Sequence, residues 1–459
     1  MRQGKELDLL KGPILPTLIK LAMPIMATSF VGLAYTMTDM YWVSSLGERA
    51  VAAVGTGGTL FWLVDSVFSI PRVGGQVLVG QALGAGERGE ARAWARTALR
   101  LGYLLAALFS LLFFFARGPL TAIFQFNDLE TISRTETYLW IVGLGLIPRV
   151  GGRLYSAILT ASGNSFTPFV VFVSGLVLNM ILDPLFILGL KLDVAGAALA
   201  TLLSELTTYI LLLMAVRRNE LLSKLALVKG SLDLHRLKPM AKLGLPVSAR
   251  SVVHASVSIL ISRIIVRFGD LAVAAQRLGV QVESLSWMTA DGFASAVNAF
   301  MAQNFGAQKH DRVRRGYWTG LWLVAAFCLM TTLVLFFLGQ PITELFFKDP
   351  EAIAHSVDYL RIIALSQLMM GLLILVSSAF ASLGQSLIPS VIEMSLMAVR
   401  IPLAIFLAGT VLGVSGIWWS FTITTNVAGL ILIVLFPIYM KRHKDNPLMG
   451  VSQPVDPSS

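Results

Sequence analysis

The side chains best suited to chemistry are acids and amides that interrupt long apolar stretches. Asp39 lies in GLAYTMTDMYWV, and Asn179 and Asp183 lie in LNMILDPLF. A spacing of four residues places Asn179 and Asp183 on one face of a helix, and Thr201 follows in the next apolar stretch. Carboxylate, amide and hydroxyl oxygens can relay a proton or bind a small cation. We therefore predict an ion-coupling site at Asp39, Asn179, Asp183 and Thr201, with the first three as ligands if the ion is Na⁺ rather than H⁺.

A second set of residues is predicted to bind substrate. In the stretch 272–302, Glu283, Trp287, Asp291 and Asn298 recur on one helical face. They could line a substrate cavity, with Trp287 as a stacking or cation–π platform, or they could form a hydrogen-bonded seam between lobes. Both interpretations stay open.

Charged residues in the first half raise a related question. Arg149 and Arg153 share a helical face, and Asp65 lies in an earlier apolar stretch. The arginines could extend to the cytoplasmic interface, or they could lie near the acids and make the cavity more tolerant of neutral or anionic compounds. The predicted substrate-binding set includes these three residues together with Tyr35 and Met37, which lie shortly before Asp39 in the same stretch.

The elements that position these side chains are predicted to be membrane-spanning helices packed in a bundle. The chain has 459 residues, of which 56% are hydrophobic and 14% charged, whereas a soluble globular chain has about 25% charged residues. Its single cysteine, Cys328, excludes a disulfide framework and a cysteine-ligated metal site. Stretches long enough to cross about 30 Å of hydrocarbon recur twelve times in the sequence. They lie at 17–44, 52–80, 95–117, 133–157, 167–189, 194–216, 242–266, 272–302, 316–339, 356–381, 388–410 and 415–440.

Lysine and arginine orient this bundle. They concentrate in the segments that lie on the same side as the N-terminus, such as RGEARAWAR at 88–96 and KHDRVRR at 309–315. Cytoplasmic loops carry this excess in membrane proteins, so both termini are predicted to be cytoplasmic. The net charge of +10 follows from this bias, and we predict no nucleic-acid partner.

The two halves of the chain form an internal repeat. Residues 24–124 match residues 246–346 at a constant offset. Polar and turn-forming positions keep the register: Pro24 with Pro246, Gln81 with Gln303, and, after a slip of one residue, Gly163 with Gly384. Six helices per half make this a parallel repeat, which is typical of secondary transporters. The fold class is therefore predicted to be an all-α polytopic membrane protein with twelve transmembrane helices in two six-helix lobes.

The repeat also predicts the domain boundaries. The N-terminal lobe with the ion-coupling site covers 1–216, and a basic cytoplasmic linker covers 217–241. The C-terminal lobe covers 242–440, and a disordered cytoplasmic tail covers 441–459. No nucleotide-binding, metalloprotease or serine-hydrolase motif occurs in the sequence. We thus expect neither an enzyme nor a cofactor, and energy would come from an ion gradient.

At the level of motifs, the sequence resembles the multidrug and toxic compound extrusion (MATE) family, and in particular its DinF-like branch. The resemblance covers about residues 10–440 and rests on seven segments: LAMPIMA, TDMYWVSSLG, VGQALGAGE, LNMILDPLF, VAGAALATLLSE, VESLSWMTADGF and AQNFGAQ. It implies antiport of small organic compounds against H⁺ or Na⁺, the ion-coupling residues given above, Tyr138 beside them as a substrate contact, and a hinge in the first helix at Pro24. One departure is that Arg153 and Ser156 stand where related sequences carry asparagines, which puts a preference for cationic drugs in doubt.

Three alternatives to a multidrug exporter stay open. The first is a lipid-linked saccharide flippase of the same superfamily, and the second is an exporter of anionic or neutral metabolites. A receptor or structural membrane protein without transport is the third. For the leading interpretation we expect a monomer in the lipid bilayer, in the cytoplasmic membrane of a bacterium or archaeon.

Overall fold

The structure, a computed structural model, describes residues 6–218 and 232–442. Regular structure within these two ranges is entirely helical. The centre of the predicted linker, 219–231, and nearly all of the predicted tail, 443–459, lie outside the described residues. The predictions made for those two segments are therefore not tested.

Eight helices precede the gap between the described ranges. They are α1 (Ile14–Ser44), α2 (Glu48–Gly84), α3 (Arg88–Phe115), α4 (Arg117–Ala122), α5 (Leu129–Leu144), α6 (Leu146–Ala161), α7 (Phe166–Pro184) and α8 (Asp193–Arg218). A π-helical turn, Leu185–Gly189, directly follows α7.

Seven helices follow the gap. They are α9 (Leu234–Ile265), α10 (Asp270–Gly306), α11 (His310–Phe337), α12 (Gly339–Glu344), α13 (Pro350–Ser382), α14 (Leu387–Ala408) and α15 (Val414–Arg442). A 3₁₀ turn, Val266–Phe268, extends α9.

The internal repeat is confirmed by helix lengths and turn geometry. Both α2 and α10 have 37 residues, both α3 and α11 have 28, and both α4 and α12 have six. Gly47 and Gly269, which precede α2 and α10, both have φ 95°, a value that a side chain would strain. The parallel repeat is thus present in the backbone as well as in the sequence.

Each of the twelve predicted spans corresponds to helix. Ten helices among the described residues are long and apolar enough to cross a membrane. The predicted span 133–157 is divided into α5 and α6, since Pro148 has no N–H to donate to the helical turn before it. The predicted span 272–302 is α10, which is long but carries Glu283 and Asp291 among its apolar residues.

The chain forms two compact units that do not coincide with the predicted lobes. The first contains the described residues of Met1–Leu10 and Ala27–Leu245, and the second contains Lys11–Met26 and the described residues from Pro246 onward. Helices α1 and α9 are therefore each divided between the units, close to Pro24 and Pro246. The predicted boundaries 1–216 and 242–440 assign the first part of both helices differently.

Close packing in the first unit explains why it includes the start of α9. The Cα of Gly74 allows the backbone of Met240 to approach, and Gly244 lies against the backbone of Ile70; a Cβ at either glycine would overlap its neighbour. Arg236 forms two hydrogen bonds with Glu90 in α3, of 2.6 and 3.1 Å. Helical structure from Leu234 onward thus replaces the last part of the predicted linker.

In the second unit, an equivalent position holds the start of α1. Arg312 in α11 is the repeat counterpart of Glu90. Its guanidinium donates hydrogen bonds to the carbonyl oxygens of Lys11 (2.9 Å) and Gly12 (2.8 Å). Farther along α1, Gly292 lies against Met26. In the first unit, α2 and α3 therefore hold the start of α9. In the second unit, α10 and α11 hold the start of α1 in the same way.

Candidate functional site

The four predicted ion-coupling residues lie together in the first unit. Thr201 Oγ1 donates to Asp39 Oδ2 at 3.5 Å, and Asn179 Nδ2 donates to Asp183 Oδ1 at 3.2 Å. The side chains of Asn179 and Asp183 are fully buried, and Thr201 is nearly so. Asp183 and Asn179 are both electrostatic neighbours of Asp39, so α1, α7 and α8 bring one polar cluster together.

This cluster has more acceptors than donors. One oxygen each of Asp39, Asn179 and Asp183 is buried and accepts no hydrogen bond from any residue that the structure describes. Leaving buried polar oxygens without a partner is costly. Protons on the carboxylates, or one small cation among the three oxygens, would satisfy them.

Backbone irregularity at the end of α7 positions Asp183. Pro184 has no N–H, so the carbonyl of Met180 loses its usual helical donor. The chain continues as a π-helical turn in which Leu190 N donates to Leu185 O at 2.8 Å. Such turns are frequent at functional sites.

Two tyrosines flank the cluster. The hydroxyl of Tyr35 is buried without a hydrogen-bond partner among the described residues, and Asp39 and Glu205 are its electrostatic neighbours. Tyr138 is buried, and Asp39 and Arg149 are among its electrostatic neighbours. Met37, in contrast, is 60% exposed, so the structure does not bring this predicted substrate contact into the cluster.

Gly57 in α2 makes room for Tyr138. A Cβ atom at Gly57 would overlap the Tyr138 ring, whereas a Cβ at the adjacent Gly58 would meet nothing within 4 Å. Gly57 is absent from the predicted site, because its role depends on an approach between helices far apart in sequence. The sequence feature that indicates such a close approach is the glycine-rich segment GTGG, in which Gly57 lies beside Gly55 and Gly58.

We expect Gly57→Ala to displace the Tyr138 ring and to lower both the melting temperature and the rate of coupled efflux. Overpacking of a filled interior costs about 1–3 kcal/mol. Gly58→Ala is the matched control, since it adds the same methyl group to the same helix in open space. Equal effects of the two substitutions, measured by thermal unfolding in detergent and by vesicle efflux, would contradict this role of Gly57.

A network of ion pairs lies beside the polar cluster of Asp39, Asn179, Asp183 and Thr201. Arg149 contacts Glu205 Oε1 at 2.5 Å and Asp65 Oδ2 at 3.1 Å. Arg153 contacts the same oxygen of Asp65 at 2.9 Å, and the Arg149 guanidinium lies 5.4 Å from the centre of the Phe61 ring. The two arginines therefore pair with acids within the bundle, and the prediction that they reach the cytoplasmic interface is not needed to explain them.

Glu205 connects this network to the polar cluster. It follows Thr201 by one turn of α8, and it is an electrostatic neighbour of Asp39. Glu205 is absent from the predicted site, although its spacing from Thr201 was visible in the sequence. Two arginines and two acids balance each other here, which differs from the uncompensated acids of the cluster.

The predicted substrate-binding stripe of α10 lies in the second unit and is not uniform. Trp287 and Asp291 are exposed. Glu283 accepts hydrogen bonds from Tyr359 at 3.2 Å and from Gln367 at 3.3 Å. Asn298 is buried and donates to the Ser378 carbonyl oxygen at 2.8 Å. The stripe therefore combines an exposed part with a part that packs α10 against α13.

The predicted hinge, Pro24, lies inside an unbroken α1. It belongs to the segment Lys11–Met26, which groups with the second unit, whereas Asp39 belongs to the first. A proline within a helix removes one backbone hydrogen bond and favours bending at that point. Its role as a hinge stays a prediction.

Comparison with known families gives two matches within the chain. A model of the MatE family matches residues 24–185 and again residues 246–406. The two matched segments are related by the offset of the internal repeat.

Individual proteins match over nearly their whole length. The probable multidrug resistance protein NorM of Thermotoga maritima is 28% identical over 412 residues, which cover 87% of each chain. A FAD transporter of Shewanella oneidensis is 24% identical, over 92% of this chain and 94% of its own. Among solved structures, a MOP superfamily transporter of Pyrococcus furiosus, described as having a binding pocket of reverse polarity, has a TM-score of 0.88 at 21% identity and covers 97% of this chain and 100% of its own. At this level of identity, the structural match is evidence for the fold and not for the function.

Proposed function

Because the chain belongs to the MatE family, we propose that it is a secondary active exporter of small organic compounds. The coupling ion is H⁺, with Na⁺ as the alternative, and the two lobes alternate access to the two sides of the membrane. The protein acts as a monomer in the cytoplasmic membrane, with both termini in the cytoplasm. The relative from Thermotoga maritima, which is named a probable multidrug resistance protein, supports drugs as one substrate class.

One observation carries this proposal: three buried oxygens, on Asp39, Asn179 and Asp183, lack hydrogen-bond donors among the described residues. An antiporter needs a group whose charge changes between its ion-loaded and ion-free states. Two carboxylates in an apolar bundle supply such a group, since their negative charges are costly there unless a proton or cation neutralises them. Thr201 and Asn179 hold the two carboxylates in place through their hydrogen bonds.

Efflux from proteoliposomes tests the proposal. Vesicles that contain the purified protein are loaded with a fluorescent organic substrate. An imposed pH gradient is applied across their membrane first, and a sodium gradient of equal size is applied second. Substrate movement driven by the pH gradient alone supports H⁺ antiport, and movement driven by sodium alone supports Na⁺. Absence of gradient-driven movement with several substrate classes would overturn the proposal.

We expect Asp183→Asn to abolish gradient-driven efflux, because the amide keeps the shape of the side chain but can neither release a proton nor neutralise a cation. Asn179→Ala should reduce efflux less, since Asn179 contributes geometry rather than charge. Asp128→Asn is a matched control, because this acid is partly exposed before α5 and caps it through Thr131 N, a bond that Asn also makes. Gradient-driven efflux at the wild-type rate by Asp183→Asn would remove Asp183 from the coupling site.

A second candidate function is export of anionic metabolites. The pairing of Arg149 and Arg153 with Asp65 and Glu205 favours it, because this part of the first unit has no excess of negative charge to attract a cation. The relative from Shewanella oneidensis is named a FAD transporter, which is consistent with such a substrate. Comparing one cationic and one anionic dye in the same vesicles separates the two candidates.

A further inference from the structure

The ion-coupling site of the first unit has a repeat counterpart in the second. Tyr138 in α5 and Tyr359 in α13 occupy equivalent positions of the repeat. Gly57 in α2 and Gly279 in α10 are equivalent in the same way. Gly279 lies directly against the Tyr359 ring, as Gly57 lies against the ring of Tyr138. The backbone framework of the site is therefore present twice.

Charge at this counterpart is inverted. Asp39 is replaced by Ile261 and Asp183 by Ala404, both fully buried in an apolar cluster. The position of Asn179 is occupied by Arg400. Where the first unit places two carboxylates, the second unit thus places one guanidinium and no acid at the equivalent positions.

Arg400 is buried without an acidic contact. It is 7% exposed, and no carboxylate among the described residues lies within salt-bridge distance of it. Its Nε donates to Thr424 at 2.9 Å and its Nη2 donates to Thr425 at 3.3 Å. The guanidinium also lies 4.4 Å from the centre of the Phe421 ring. Neutral hydroxyls and an aromatic face hold this cation, and Nη1 makes no hydrogen bond to a described residue.

The surrounding charges do not neutralise Arg400 by contact. Glu283 is its acidic electrostatic neighbour, but both Glu283 oxygens accept hydrogen bonds from Tyr359 and Gln367. Arg400 and Arg250 are in turn electrostatic neighbours of His254, and Arg250 is paired with Glu393 at 2.7 Å. The α9 groups near Arg400 are therefore His254 and an Arg250 whose charge is balanced by Glu393.

We propose that Arg400 forms a binding site for the carboxylate or phosphate group of an organic anion. The inference rests on the proposed function, because it assigns one substrate class to the exporter. A buried guanidinium without a carboxylate in contact is costly in a membrane bundle, and an organic anion can accept a charge-assisted hydrogen bond from its remaining nitrogen. Phe421, Thr424 and Thr425 fix the plane of the guanidinium, which leaves Nη1 as the donor for the ligand.

Equilibrium binding to the purified protein tests the site without transport. The probes are benzoate and phenyl phosphate, and benzyl alcohol is the uncharged control. We expect the wild type to bind both anions more tightly than the alcohol. Arg400→Gln should weaken anion binding by roughly tenfold or more, in line with a lost charged hydrogen bond. Equal affinity of wild type and Arg400→Gln for benzoate, or equal binding of benzoate and benzyl alcohol by the wild type, would overturn the proposal.

Further variants separate binding from folding and from coupling. Arg400→Lys keeps the charge and loses the planar fork, so it should retain intermediate affinity, and Thr425→Val should give a smaller loss. Arg263→Gln, at an exposed arginine of α9, is the control and should bind as the wild type does. Loss of affinity in Arg263→Gln equal to that in Arg400→Gln would contradict a specific site.

The same measurement distinguishes failure of this site from failure of the proposed function. Asp39→Asn should lose efflux and keep anion binding, because the two sites lie in different units. Binding measured in nanodiscs of neutral lipid and of anionic lipid identifies the source of the anion. Tight benzoate binding in both lipids supports a soluble substrate, and competition by anionic lipid supports a lipid phosphate at the same guanidinium.

Discussion

Asp39→Asn will abolish gradient-driven efflux and leave the melting temperature close to that of the wild type. The amide oxygen can still accept the 3.5 Å hydrogen bond from Thr201, so the local packing is kept. The second oxygen of Asp39, which is buried without a donor among the described residues, becomes an amide NH₂ that carries no exchangeable charge. The ion-loaded and ion-free states then no longer differ at this position.

The measurement is the initial rate of substrate efflux from vesicles under an imposed pH gradient, compared with protein-free vesicles. Thermal unfolding in detergent serves as the control for folding. A substrate-binding assay on the same preparation shows whether the variant has lost coupling or recognition. Efflux at the wild-type rate, with the gradient intact, would exclude Asp39 as a coupling residue.

Arg149→Gln is expected to cost up to about 3–5 kcal/mol of stability, the value for a fully buried pair, because removing one partner of this partly buried ion pair leaves the other charge uncompensated. Among the residues that the structure describes, Arg149 is the one cation paired with Glu205, and it shares Asp65 with Arg153. The loss should therefore appear in thermal or chemical unfolding before any effect on selectivity can be measured. Arg149→Gln combined with Glu205→Gln should recover part of the loss, since the orphaned carboxylate is removed.

Arg153→Gln is the matched comparison. Its side chain is 43% exposed, against 20% for Arg149, and Asp65 keeps its contact with Arg149 when Arg153 is replaced. We expect a clearly smaller loss of stability, of the order measured for exposed pairs, about 0.2–1 kcal/mol. Similar losses for the two arginines would show that the network is not organised around Arg149.

The sequence was sufficient to predict the spans, the repeat and the polar residues that the structure brings together in the first unit. Long apolar runs have one stable arrangement in a bilayer, and an acid inside such a run has few roles. Asp39, Asn179 and Asp183 could therefore be selected without knowing which helices are neighbours. The twofold match of the MatE family follows the same repeat.

Pairing between distant side chains could not be predicted. Hydropathy gives the depth of Arg149 but not the identity of its partner, which lies 56 residues later in α8. The contact between Gly57 and Tyr138 depends on how closely two helices approach, which neither sequence segment specifies alone. The predicted linker includes Leu234–Ala241, whereas the structure shows that this segment is helical and contacts α2 and α3.

Each unit takes the first part of one long helix from the other half of the chain. The first unit contains Leu234–Leu245 from the C-terminal half of the chain, and the second unit contains Lys11–Met26 from the N-terminal half. This is the arrangement of a domain-swapped homodimer, here made within one chain. The halves of the present protein should accordingly fold as complements of each other, not as independent domains.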